Sequence, residues 1–286
     1  MQNIKLTVAY DGSDYCGWQI QPGQTSIQGT LADVAKRLTQ EEVMIQGAGR
    51  TDAGVHALGQ VAQFRTRSQL TPQEFQRAFN ALLPASIRVV DAAGVSPDFH
   101  PRFQATAKTY HYRIALGRVV SPFECRYVLH DPFPLDATAM AEAARLFEGE
   151  HDFTSFAAST GSEEEDRARS PIRRIYSSKL FISNGGPLAG AGLTGERRCR
   201  LFEPGAFAAG ASERDKEGEE LVYVVRGNSF LRYMVRKIVG TLLDVGRGRL
   251  APEDIPALFE AKDRSRSGST VAPHGLYLVS VEYPEE

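Results

Sequence analysis

Eleven residues, Gly47-Ala48-Gly49-Arg50-Thr51-Asp52-Ala53-Gly54-Val55-His56-Ala57, lie between two strand-like runs, Val43–Gln46 and Gln60–Thr66. The order strand, glycine-rich loop, strand constrains the fold more than any other stretch of the chain. A phosphate-cradling loop leads instead into a helix whose N-terminus meets the anion. Here no Gly-Lys-Ser/Thr follows, and the chain enters Gln60-Val61-Ala62-Gln63-Phe64-Arg65, a strand pattern. The glycines permit backbone conformations or close approaches that side chains would forbid. Among them sit an arginine, a threonine, one carboxylate and a histidine, more than a simple turn needs, so Asp52 leads the candidates for chemistry.

The rest of the chain alternates strand and helix patterns. Ile4–Tyr10 alternates apolar and polar residues, and Asp11-Gly12-Ser13 turns it. Ser26 is placed to cap a helix running to about Leu38. Thr71-Pro72-Gln73-Glu74 combines a Thr cap, a first-position Pro and a third-position Glu, and Pro84 ends that helix near Leu83. Strands are expected over Ile87–Val95 and Ala105–Leu116, the latter with Tyr110, Tyr112 and Ile114 on one face and Lys108, His111 and Arg113 interspersed. Tyrosines among cations suit RNA, with phosphates on the cations and bases on the rings; a strand packed into a core has the same pattern. A Pro-containing connector, Arg118–Pro134, opens a second half. A helix over Asp136–Phe147 points Ala139, Met140, Ala143 and Leu146 inward, and strands follow at Ile172–Ile182 and Leu221–Arg226.

Residues 184–219 hold eight Gly and six Ala and read as a surface insertion or mobile loop; the acidic 162–166 piece reads as a solvated loop. Asn228–Asp244 is the most regular helical pattern. Leu231, Met234, Val235, Ile238, Leu242 and Val245 make an apolar stripe, and Arg232, Tyr233, Arg236, Lys237 and Gly240 fall opposite. No acid stands at a pairing distance from Arg232 or Arg236 on that helix, and Gly240 lets something approach its face closely. A short helix over Pro252–Ala261 and a strand over Leu276–Tyr283 complete the chain. This order fits an α+β fold of two lobes with a central, mostly antiparallel sheet better than a βαβ array. The lobes expected are residues 1–117, carrying the Asp52 loop, and 118–286, carrying the insertion.

No apolar run reaches the roughly 18–20 residues of a membrane helix, and the chain starts in a strand pattern with no signal-peptide core. Three scattered cysteines argue against a disulfide framework or a zinc cluster. These features point to a cytoplasmic globular protein. Its net charge of −2 conceals two basic regions. Nine cations face four acids between Ile45 and Arg118, and six face one between Leu221 and Arg249. Such regions suit a bound polyanion, though ordinary surface arginines give the same count.

For the Asp52 loop, the phosphate cradle lacks its helix. A metal site from Asp52 and His56 lacks further ligands, because His100, His111, His130, His151 and His274 are scattered singly. A lone carboxylate, ionised beside an arginine such as Arg50 or Arg236 and serving as nucleophile or base, uses the residues present. His56 and Thr51 read as shaping the loop by hydrogen bonds rather than as catalytic groups, and Trp18 as core.

Gly49-Arg50-Thr51-Asp52-Ala53-Gly54-Val55-His56-Ala57 resembles the signature loop of the TruA family of tRNA pseudouridine synthases. The resemblance continues in Tyr10-Asp11-Gly12-Ser13, Gly17-Trp18-Gln19, Ser26-Ile27-Gln28-Gly29, Lys108-Thr109-Tyr110-His111-Tyr112-Arg113 and His151-Asp152-Phe153-Thr154-Ser155-Phe156. Asn228-Ser229-Phe230-Leu231, Met234-Val235-Arg236, Val239-Gly240 and Gly275-Leu276-Tyr277-Leu278 extend it to the end of the chain. It departs at Cys16, at 184–219 and in Gly268–Pro273.

The resemblance implies the pseudouridine-synthase fold, two ferredoxin-like α+β lobes sharing a mostly antiparallel sheet with the active-site cleft between them. It implies an isomerase that needs no cofactor or metal, works as a homodimer, and converts uridine to pseudouridine in the tRNA anticodon stem-loop at tRNA positions 38, 39 and 40. It makes Asp52 the catalytic nucleophile after base flipping, while leaving open attack at C1′, attack on the base or removal of a sugar proton. Tyr110 becomes the aromatic residue that stacks on the uracil and helps remove the C5 proton. Arg236 becomes the cation that pairs with Asp52, and Arg50 contacts the flipped nucleotide. The readings that compete are a noncatalytic tRNA-binding protein using the same basic surface, and glycosidic hydrolysis, which normally wants two carboxylates.

Overall fold

The computed structural model describes residues 1–158, 170–183, 199–201 and 220–284. In chain order the elements are β1 (Gln2–Tyr10), α1 (Ile27–Thr39), β2 (Gln46–Gly47), β3 (His56–Thr66), α2 (Pro72–Leu82), β4 (Ile87–Val95) and β5 (Ala107–Ala115). There follow β6 (Leu129–His130), α3 (Ala137–Arg145), β7 (Gly149–Asp152), β8 (Ile172–Ser183), β9 (Cys199–Leu201), β10 (Glu220–Gly227), α4 (Met234–Gly246), α5 (Ile255–Ala261) and β11 (Leu276–Glu282). The fold is mixed α+β, with mostly antiparallel strand pairing.

The chain divides into two compact units, Met1–Lys108 with Tyr277–Glu286, and Thr109–Leu276. The division between the units falls within β5, and all but the first residue of the terminal strand belongs to the first unit.

In the first unit the strand order is β4-β1-β3-β11, with β2 on β3. β1 runs antiparallel to both β3 and β4, and β11 lies parallel to β3. Alternation along β1 buries Ile4, Leu6 and Val8. Phe64 of β3 meets Phe75 edge-on, ring centres 5.3 Å apart, and Phe79 completes the cluster from the next turn of α2. Both helices begin where local chemistry directs. Ser26 accepts from the Gly29 amide at 3.1 Å. Thr71 and Glu74 close a reciprocal box, the Glu74 carboxylate accepting from the Thr71 amide at 2.8 Å. The strand expected over Val43–Gln46 reduces to Gln46–Gly47, and β3 starts earlier than expected, at His56.

In the second unit the order is β5-β10-β8-β7, with β6 on β5 and β9 on β8. Phe147, Phe153, Phe156 and Phe259 interlock edge-to-face, and His151 stacks on Phe259 at 4.3 Å. Leu146, expected inside, is exposed, and Phe147 takes the inward position. The Gly/Ala-rich segment contributes a strand, Cys199–Leu201, beside β8; its other residues and the 162–166 piece lie outside the described residues.

The helix expected from Asn228 begins at Met234. Asn228 is held instead to β8: its amide donates to the Arg174 carbonyl at 3.0 Å, and its Oδ1 accepts from the Arg174 amide at 3.1 Å. Tyr233 then takes a left-handed conformation, φ +62°, which no helix interior accommodates. α4 is covered on both sides. Its apolar stripe packs inward, and Gly240 lies so close to the Ser269 carbonyl that a Cβ would stand 1.9 Å from its oxygen.

The cations of β5 are structural. Arg113 makes a two-pronged pair with Glu220 of β10, Nε to Oε2 at 2.9 Å, and both side chains are about 95% buried, at 4% and 5% exposure. Breaking such a buried pair by removing one partner costs about 3–5 kcal/mol. Glu220→Ala is therefore expected to lower urea-unfolding stability by that amount, and the double variant Arg113→Met/Glu220→Leu to recover most of it.

Candidate active site

The Asp52 loop belongs to the first unit and is fixed mainly through its backbone. Asp52 forms an isolated antiparallel bridge with Gly17, and the Trp18 amide donates to the Thr51 carbonyl at 3.0 Å. Gly17 has φ +107°, and a Cβ there would lie 2.6 Å from the Thr51 oxygen. At Gly12 a Cβ would come within 2.0 Å of the Val55 carbonyl oxygen. The Val55 amide closes a turn onto the Asp52 carbonyl at 3.1 Å. Two stretches remote in sequence thus meet main chain to main chain, at separations only glycine allows.

Side chains complete the scaffold. Thr51 is buried, and its hydroxyl shares a 2.8 Å hydrogen bond with the buried Tyr10 hydroxyl. Burial pushes the Tyr10 phenol well above its ordinary pKa, so it remains neutral. His56, 2% exposed, accepts from the Gly12 amide through Nδ1 at 3.1 Å, has Asp11 Oδ1 at 3.2 Å, and stacks on Tyr277 with ring centres 4.9 Å apart. Thr51 and His56 therefore shape the loop. Gln60 donates to the Gly49 carbonyl at 3.0 Å, and Lys108 donates to that of Ala48 at 2.8 Å. Lys108 is buried, so this cation holds the loop rather than a phosphate.

Against this frame Asp52 is half-buried and Arg50 is exposed. Their neighbours Ala48, Thr51 and Val55 are buried, so both charged residues stand on a buried base.

Tyr110 and Arg236 belong to the second unit. Tyr110, on β5, is 8% exposed and meets Phe230 edge-on, ring centres 5.0 Å apart. Arg236, in the first turn of α4, donates from Nε to the Val271 carbonyl at 2.7 Å. Its guanidinium lies 4.8 Å from the Tyr233 ring centre, as does that of Arg232. Cation–π contact with both arginines offsets the left-handed backbone of Tyr233, a strain of roughly 1–2 kcal/mol. The positive charge of Arg236 also acts on its neighbours. Burial chiefly depresses the His274 pKa, a hydrogen bond with the Val128 backbone opposes it, and the Arg236 charge adds a smaller downward push. Lys237 lies beneath, donating to the Arg264 carbonyl at 2.9 Å and to the Ser267 hydroxyl at 2.7 Å, its pKa lowered by burial. The supporting roles of Tyr10, Gln60, Phe230 and Tyr233 escaped the sequence reading, although Tyr10 and Phe230 stand inside the motifs that carry the resemblance.

Residues 6–104 and 143–284 match the family of tRNA pseudouridine synthases. The chain belongs to that family. The matched stretches contain Arg50, Asp52 and Arg236, whereas Tyr110 falls between them. The chain is 44% identical over 284 residues to tRNA pseudouridine synthase A of Solibacter usitatus, covering 99% of this chain and 100% of that protein. It is 41% identical over 283 residues to the protein so named in Caldicellulosiruptor saccharolyticus, with the same coverage. With tRNA pseudouridine synthase A 1 of Desulfotalea psychrophila it shares 39% over 285 residues, again 99% of this chain and 100% of that one. Among the described residues no group of three or more His, Cys, Asp or Glu is placed to hold a metal, and no helix is long and apolar enough to cross a membrane.

Because Gly17 meets the loop backbone with no room for a Cβ, Gly17→Ala is expected to displace the loop. In this synthase family member the loss should appear as a fall in tRNA-modifying turnover of about tenfold or more, from misplacement by an ångström or so, with tRNA binding near that of the parent. Turnover at the parent rate would contradict the clamp.

Proposed function

We propose that this chain isomerises uridine to pseudouridine in the anticodon stem-loop of tRNA, with Asp52 as its nucleophile. The uridine must leave its stack before the sugar and base are accessible, and an aromatic face with nearby cations compensates for the stacking lost. In this reading the ring of Tyr110 receives the uracil and Arg50 contacts the turned-out nucleotide. Arg236 supplies the positive charge that keeps Asp52 ionised. The N1–C1′ bond breaks, the uracil turns, and a C5–C1′ bond forms. The proton lost from C5 balances the one gained at N1, so the reaction is an isomerisation that leaves the atom count unchanged.

The observation that carries the reading is the Asp52 loop itself. It has a single carboxylate, half-buried, on a backbone pinned at Gly17 and Trp18, within a chain of this family. Phosphate binding gains nothing from such a carboxylate. Exposed arginines of the basic stretches, such as Arg65 and Arg67 after the loop and Arg232 before α4, then serve the RNA backbone. Action as a homodimer in the cytoplasm belongs to the same proposal and rests on the family resemblance.

Incubation of the protein with an unmodified tRNA transcript, followed by chemical mapping of pseudouridine, tests the reading. Pseudouridine is expected in the anticodon stem-loop. Salt-sensitive tRNA binding that leaves every uridine unchanged would favour the noncatalytic alternative. Replacing Arg236 is the second test. Removing a cation that favours the ionised carboxylate moves the acid limb of the pH–rate profile to higher pH, so Arg236→Ala should lose most activity at the acid end. Arg236→Lys, which keeps the charge, should retain the parent profile. Weakened tRNA binding with an unmoved profile would make Arg236 an RNA contact instead.

A further inference from the structure

A groove of about 570 Å3 opens in the first unit, lined by both strands that flank the Asp52 loop. Gln46 of β2 and Gln63 of β3 are directly opposed in the strand register, and both line it. Gln63 is 3% exposed, and its Oε1 is buried without a hydrogen-bond partner. Buried amide oxygens are nearly always satisfied. The terminal torsion of glutamine is broad, so a small rotation offers this amide to a donor in the groove. Such a donor gives the oxygen a bond that the fold does not supply.

Further along β3, Arg65 falls on the same face as Gln63, and Arg67 lies just beyond the strand; both are exposed and line the groove. Arg65 is steadied by a 2.6 Å bond from Nη2 to the Pro97 carbonyl. Two acids share the lining. Glu41 accepts from the Arg67 amide at 3.0 Å and the Thr66 hydroxyl at 3.2 Å, and Glu42 is paired with Lys36. With Glu42 offset by Lys36, the two arginines outweigh Glu41. Nδ1 of His100 accepts from the Arg102 and Phe103 amides at 3.1 and 3.3 Å, so a neutral ring carries its proton on Nε2 as a donor. Met44, 74% exposed, adds an apolar wall.

An opposed amide pair, an apolar wall and two guanidiniums meet the three parts of a nucleotide: base edge, base face and phosphate. We propose that this groove holds one unpaired nucleotide of the RNA substrate, with its base edge on Gln63 and Gln46 and its phosphate at Arg65 and Arg67. Amide side chains read base edges by donating and accepting at once. Gln46 precedes Asp52 by six residues. Groove and loop are therefore joined by at most about 20 Å of extended chain, the length of about six stacked nucleotides. The inference takes its RNA ligand from the function proposed above, but it does not depend on which residue performs the chemistry.

The test compares the parent with Gln63→Leu and Arg67→Ala, measuring turnover on unmodified tRNA and equilibrium tRNA binding across a range of salt. Both variants should raise KM and weaken tRNA binding roughly fivefold or more while kcat stays within about twofold. For Arg67→Ala the slope of log affinity against log salt should also shrink by about one. Arg67 is exposed, so that variant keeps the fold even if Gln63→Leu does not. Parent-like KM and binding in Arg67→Ala, or a fall in kcat at constant KM, would overturn the proposal. Adenosine monophosphate serves as the free-nucleotide probe: tight binding that both variants abolish without any loss of tRNA affinity would also overturn it. A parent that makes no pseudouridine, but whose tRNA binding both variants weaken, would sink the proposed activity and leave this site standing.

Discussion

The contact on which the rest of the first unit depends is main chain against main chain, where Gly12 and Gly17 meet the loop from Thr51 to Val55. A Cβ at either glycine would overlap a carbonyl oxygen, at 2.0 Å from Val55 and 2.6 Å from Thr51. Hydrogen bonds from Trp18 to Thr51 and from Gly12 to His56 lock the approach. Side-chain clamps would leave rotamer freedom in a loop that must hold one carboxylate steady. Backbone clamps remove that freedom at its source, which is the kind of pre-organisation a positioned nucleophile needs. Tyr10, Gln60 and Lys108 then meet the Thr51 hydroxyl and the Gly49 and Ala48 carbonyls, while Asp52 stays half-buried and Arg50 exposed.

A comparable economy governs the second unit. α4 can stay straight and buried because Gly240 admits the Ser269 backbone, and the same 264–271 segment satisfies Lys237 and receives the Nε–H of Arg236 through Val271. Arg236 is therefore oriented before it meets any substrate. Its guanidinium also rests against Tyr233, whose left-handed backbone marks where the extended Asn228 segment becomes helix. Strain of this sort persists only where the surroundings fix it. Here they fix the direction in which a catalytic candidate points.

What was legible in the sequence follows from how far each cause reaches. The caps at Ser26 and Thr71 are written within four residues, and both helices start where those residues place them. The strand Ile87–Val95 forms over the residues expected of it. The Asp52 loop was legible as an exceptional stretch because its glycines and its charged payload are contiguous. Errors came where the cause lies far away. The β5 pattern left Lys108 and Arg113 open between phosphate binding and a strand packed into a core, because the groups that hold them, Ala48 and Glu220, are 60 and 107 positions distant. Periodicity carried the α4 helix back to Asn228 because it has no sense of a single residue turning left-handed at Tyr233. The return of Tyr277 to pair with His56 is likewise a long-range event that no local pattern announces.

The central claim is that the charge of Asp52, presented by this clamped loop, performs the chemistry. Asp52→Asn tests it most directly, since it preserves size and hydrogen-bonding shape while removing the anion. Single-turnover reactions with saturating protein and unmodified tRNA separate chemistry from binding. The account predicts parent-like tRNA affinity with pseudouridine formation slowed by about a thousandfold or more. Isomerisation by Asp52→Asn at close to the parent rate would contradict it.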